Sequence, residues 1–78
     1  MSNLLADINE TVSFLGEAIF DVEAVVAACD ENCRIHWSED DACYLIRSAN
    51  GTPRFVIEVS IYKNAVTGKA YVDICEVK

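Results

Sequence analysis

Leu4, Ile8, Val12, Leu15, Ile19, Val22, Val26 and Cys29 follow one another at steps of three or four residues. No other feature restricts the fold of this chain so strongly. That spacing lines one face of a helix with apolar side chains and is incompatible with an alternating strand. It predicts a helix from Ser2, as N-cap, to about Cys29. A continuous helix of about 28 residues would be about 42 Å long at 1.5 Å per residue. A small sheet is shorter than that, so the helix is expected to overhang it or to break. Ser13 to Gly16 is the weak point, because Gly inside a helix is about 1 kcal/mol worse than Ala.

From residue 33 the apolar period becomes two, and turn residues divide the chain into strands at 33–38, 42–48, 54–62 and 69–77. The connections are SEDD, ANGT and NAVT, and Asn50-Gly51 is the strongest hairpin signal. Short connections make each strand antiparallel to the next. The expected fold is α+β, a single domain over 1–78, with one long helix, continuous or broken, on one face of a four-stranded antiparallel meander. Pairing apolar with apolar residues sets the registers: Ile35 with Tyr44, Trp37 with Ala42, Ile46 with Phe55, Ile57 with Ile74, Val59 with Val72 and Ile61 with Ala70.

Hydrophobic residues make up 53% of the 78. A core this small cannot hide all of them, so some apolar surface is expected to meet a partner, a second copy being the simplest. Acidic residues interrupt the N-terminal segment, which excludes a membrane helix there. No basic patch precedes an apolar run at the N-terminus, so the expectation is a cytoplasmic protein with reduced thiols.

Cys29, Cys33, His36 and Cys43 invite a zinc reading. Strand alternation argues against it. Cys33, Ile35 and Trp37 share the inner face, which turns His36 outward, and the spacing matches no common zinc knuckle. The thiols read as small core residues. On the outer face the registers put His36, Cys43, Glu58 and Asp73 in one row, where a metal or an activated thiol is conceivable. An open sheet face excludes no water, however, so no catalytic residue, metal or cofactor is assigned. Leu45, Val56, Tyr62 and Tyr71 make that face too apolar for bare solvent and mark it as a contact surface.

Residues 1–33 hold seven acids and no Lys or Arg, whereas residues 34–78 hold six of each sign, for a net charge of −7. On a continuous helix Asp7, Glu10, Glu17 and Asp21 would gather in about 80° of arc opposite the buried stripe, with Phe14 among them and Phe20 at the margin. An aromatic anchor ringed by carboxylates suits a basic partner. Glu31, Glu39, Asp40 and Asp41 extend the negative potential. Such a surface repels nucleic acid and attracts proteins that bind it.

These features lead to the expectation of a small, non-enzymatic inhibitor that occludes a basic, nucleic-acid-binding site on a larger protein. In size and charge alone it is similar to phage-encoded anti-restriction and anti-CRISPR inhibitors, a likeness that carries over no residue. The alternative is a homodimeric module that binds a small ligand or metal on the outer sheet face.

Overall fold

The helical stripe is real but it is cut in two. The computed structural model describes residues 3–30 and 32–77. Helix α1 spans Leu4–Leu15 and helix α2 spans Val22–Ala28, with a short strand, β1 (Glu17–Ala18), between them. Strands β2 (Arg34–Ser38), β3 (Cys43–Arg47), β4 (Pro53–Lys63) and β5 (Ala70–Glu76) follow. The result is an α+β fold with a five-stranded mixed sheet in the order β1-β5-β4-β3-β2. It corrects the expected single helix and four-stranded sheet.

The break has a steric cause. Gly16 closes α1 by donating its N–H to the Val12 carbonyl at 2.8 Å. A Cβ at Gly16 would lie 2.2 Å from the Ala70 carbonyl oxygen. The chain therefore crosses β5 at a distance only glycine permits. Having crossed, it pairs in parallel with β5, Glu17 opposite Tyr71 and Ala18 opposite Val72. Ile19 donates its N–H to the Val72 carbonyl at 2.9 Å and its side chain is exposed, so this member of the stripe lies outside the core.

Capping side chains start both helices. Asn3 Oδ1 accepts from the Ala6 N–H at 3.1 Å and thus caps α1. Ser2, the expected cap, lies outside the described residues. Asp21 Oδ1 accepts from the Glu23 and Ala24 N–H groups at 3.1 and 3.3 Å and starts α2. Leu4, Ile8 and Val12 of α1 and Val25 of α2 pack on Cys33, Ile46, Phe55, Ile57 and Val72. Ile8, Ile46, Val72 and Cys33 are sealed completely.

The registers hold in the middle of the sheet and shift in two places, the β2–β3 hairpin and the last part of β4. Ile46 faces Phe55, Ile57 faces Ile74 and Val59 faces Val72, all as the apolar pattern requires. In the first hairpin, however, Ile35 faces Ile46 and Trp37 faces Tyr44. The expected register would have needed a two-residue Glu39-Asp40 turn, and such turns want Gly or Asn at positive φ. A four-residue loop forms instead, with Ala42 at φ 53°. Ser38 Oγ donates to Asp41 Oδ2 at 3.0 Å and accepts from the Asp41 N–H at 3.3 Å.

At the far end Ala70 faces Lys63 rather than Ile61, because β4 shifts register between Val59 and Lys63. There Ser60 Oγ accepts from the Tyr62 N–H at 2.9 Å. The shift throws Ile61 and Tyr62 out into solvent. No helix among the described residues is long and apolar enough to cross a membrane.

Candidate protein-interaction surface

Helix α1 ends at Leu15, before it has covered the whole inner face of the sheet. Trp37 and Val59 are the inner-face residues it leaves bare. Trp37 is 54% exposed, although strand alternation aims it toward the core side. Its indole meets the Tyr44 ring edge-on, with centroids 5.0 Å apart. Tyr44 links two shallow depressions. One, of about 340 Å³, is lined by Glu10, Thr11, Phe14 and Tyr44. The other, of about 280 Å³, lies between Leu15, Trp37, Tyr44 and Val59. Val59 continues into a third of about 480 Å³, with Ile19, Tyr62 and Tyr71 on its walls and Glu58 and Asp73 at its side. Phe14, at 84% exposure, stands at the start of this apolar run.

The run is bordered by carboxylates. Glu10 borders its first depression, the Glu39-Asp40-Asp41 turn follows directly on β2, and Glu58 and Asp73 face each other across β4 and β5. Among the described residues none of Glu10, Glu39, Asp40 and Glu58 is held by an ion pair. The arginines lie toward the other end of the sheet, on main-chain carbonyls: Arg34 on Cys33 at 2.8 Å, Arg47 on Gly51 at 2.9 Å and Arg54 on Ala28 at 3.5 Å. Lys63 and Lys69 flank the β4–β5 turn. Among the described residues no guanidinium thus pairs with Glu10, Glu39, Asp40 or Glu58.

The expected carboxylate arc on a single helix is not formed. Asp7 and Glu10 are on α1 with Phe14, but the helical step stops at Gly16. Glu17 is in β1, where its Oε2 accepts from Asn64 Nδ2 at 3.4 Å, and Asp21 is occupied in capping α2. Phe20 is half-buried against the core. Glu31 lies outside the described residues.

The outer row is also divided. Glu58 does face Asp73, but His36 faces Leu45 and Cys43 faces Ser38. Among the described residues no three His, Cys, Asp or Glu side chains come close enough to hold a metal ion. The proposed outer contact residues fall into two groups. Leu45 and Val56 pair beside a depression of about 270 Å³, with Leu45 itself buried. Tyr62 and Tyr71 belong to the depression at the opposite end.

Cys29 and Cys33 adjoin beneath α2, and all four cysteines are free thiols. Burial, reinforced by the Cys33 thiol, pushes the Cys29 pKa up to about 11. A thiol so protonated at neutral pH is a poor nucleophile.

Trp37 was missed as a surface residue, whereas Tyr44 packs on the core as its inward register requires. The available signal was the weak helix at Gly16: a helix that stops there leaves inner-face residues past its last turn uncovered. No protein-family model matches the sequence, and neither a curated protein nor a solved structure matches it.

Proposed function

We propose that this chain is a small, non-enzymatic interaction protein that docks on a basic site of a larger protein and occludes it. The observation that carries the reading is an aromatic run, exposed Phe14 and Trp37 with half-buried Tyr44 between them, bordered by carboxylates that no cation of the chain neutralises among the described residues. Aromatic anchors supply buried area, and surrounding charge steers the encounter and rejects partners of the same sign. A basic site of this kind is what a nucleic-acid-binding protein offers, so nucleic acid would compete with this chain for it. The action is assigned to the cytoplasm.

The acidic surface differs from the one the helical pattern suggested. Glu10, Phe14, Glu39, Asp40 and Asp41 remain in it, whereas the hydrogen bonds of Glu17 and Asp21 give those two local structural work. A second copy is a poor occupant, since it brings the same net −7 and the same acidic turn.

The test is capture of partners from cell extract by the wild type and by the Trp37→Ala and Glu39→Gln/Asp40→Asn variants, with identification of what is bound. The expected partner binds nucleic acid, is displaced by it, and is lost from both variants. A partner retained equally by both variants would remove this docking surface from consideration.

A further inference from the structure

Building on the proposed basic partner, we propose that β2 accepts an extended basic segment of that partner as a sixth strand of the sheet. The outer side of β2 meets no other strand among the described residues, since the sheet order ends there. Its five residues, Arg-Ile-His-Trp-Ser, pair with β3 in unbroken register from Arg34↔Arg47 to Ser38↔Cys43. Protected edges are usually blunted by proline, a charged side chain or a bulge; β2 has no proline or bulge, and its one charged residue, Arg34, stands at its first position. The opposite edge is only two residues long and leads at once toward α2.

Side-chain chemistry indicates what would pair there. Ile35 and Trp37 face inward, so an added strand would set apolar residues opposite them and polar residues at the alternate positions. Acids flank the strand at both ends, Asp30 before it and Glu39-Asp40-Asp41 after it. Self-pairing is disfavoured for that reason. An antiparallel copy centred on His36 would lay Asp30 and Arg34 of one copy against the three carboxylates of its mate's turn, leaving an excess of negative charge at both ends of the ribbon. A segment with Lys or Arg at each end meets the Glu39-Asp40-Asp41 turn at one end of β2 and, past Arg34, Asp30 at the other, in either direction. Main-chain hydrogen bonds would supply affinity, while the alternating side chains and charged ends would supply selectivity.

The probes are three acetylated, amidated seven-residue peptides. The first has Lys at both ends of an alternating Thr/Val run, the second has Glu at both ends, and the third repeats the first with alternate peptide nitrogens methylated. Trp37 is the only tryptophan, so its fluorescence reports on this edge. The expected result is a saturable shift in Trp37 emission with the Lys-ended peptide and slowed amide exchange at alternate residues of 34–38. The Glu-ended peptide should bind at least about tenfold more weakly, and the methylated one should not bind. Strand addition is overturned if the Lys-ended peptide fails to bind, binds without protecting β2, or binds as well when methylated.

An Ile35→Pro variant removes an N–H that faces the outer edge, since the bonded pairs with β3 are at 34, 36 and 38. Checked for folding by circular dichroism, it separates this inference from the reading beneath it. Loss of partner capture in folded Ile35→Pro supports strand addition. Capture that survives Ile35→Pro and is lost in Glu39→Gln/Asp40→Asn leaves the docking surface standing and removes the added strand.

Discussion

The Trp37 indole meets the Tyr44 ring at an interplanar angle of 70°, an edge-to-face pair between directly opposed residues of the outermost hairpin. This contact holds Trp37 in place while leaving 54% of it exposed. An aromatic pair of this kind is worth about 0.5–1.5 kcal/mol beyond the area it buries. Trp37→Ala should therefore destabilise the fold by only about 1–2 kcal/mol, since roughly half the side chain is not in the core. Partner affinity should fall by more, about 2 kcal/mol or above, if Trp37 is an anchor. Urea titration and calorimetric binding measure the two quantities separately. A variant that loses stability but no affinity would relegate Trp37 to a packing role.

Gly16→Ala tests the steric explanation of the helix break. Propensity alone says that Ala extends α1 and stabilises it by about 1 kcal/mol. The added Cβ would instead lie 2.2 Å from the Ala70 carbonyl oxygen, which is backbone and cannot rotate away. The expected outcome is a loss of about 1–3 kcal/mol as β5 shifts or β1 detaches. A rise in the urea midpoint would mean that α1 was merely truncated by a poor helix former.

The break was half legible in the sequence. The steps of three and four persist across Gly16 because Val22 and Val26 of the second helix and Cys29 just after it continue them by packing on the same core. One periodic pattern thus covers two helices. The strand inserted between them is only Glu17–Ala18, too short to show a period of its own. The central registers were readable because apolar pairs such as Ile57 and Ile74 fix which face is inward. A register error of two residues preserves that face, and so pattern alone could not detect it in the first hairpin. Turn chemistry could have: Glu39-Asp40 is a poor two-residue turn. The outer His36–Cys43 row depended on that register and disappeared with it.

Neutralising Glu39 and Asp40 separates charge from fold. Neither carboxylate makes a hydrogen bond among the described residues, whereas Asp41 is tied to Ser38. Glu39→Gln/Asp40→Asn should leave the melting temperature within about 4 °C, as surface changes of this kind stay near ±0.5 kcal/mol. Association with a basic partner should slow, and its dependence on salt should flatten. Stopped-flow rates at about 50 and 200 mM salt supply the comparison, with the Debye length shrinking from about 14 to about 7 Å. Equal salt slopes for wild type and variant would show that the turn does not steer.

Cys29 gives a pH dependence whose sign follows from its surroundings. Burial is the main reason its pKa rises from the ordinary 9.0 to about 11. The adjoining Cys33 and Asp30 add to the effect, and Arg54 opposes it. The folded chain then keeps a proton that the unfolded chain gives up. That contribution to stability is complete below about pH 9 and is lost as the pH climbs through about 11. Lys and Tyr side chains titrate in the same range, so the comparison must be made against Cys29→Ala. Between pH 8 and 10.5 the wild type should lose more of its urea midpoint than the variant does. Thiol labelling at pH 8 should mark exposed Cys75 first and Cys29 slowly, with Cys33 protected until the chain unfolds. Parallel pH profiles together with fast Cys29 labelling would mean that α2 opens readily and that the buried thiol pair lends the fold little.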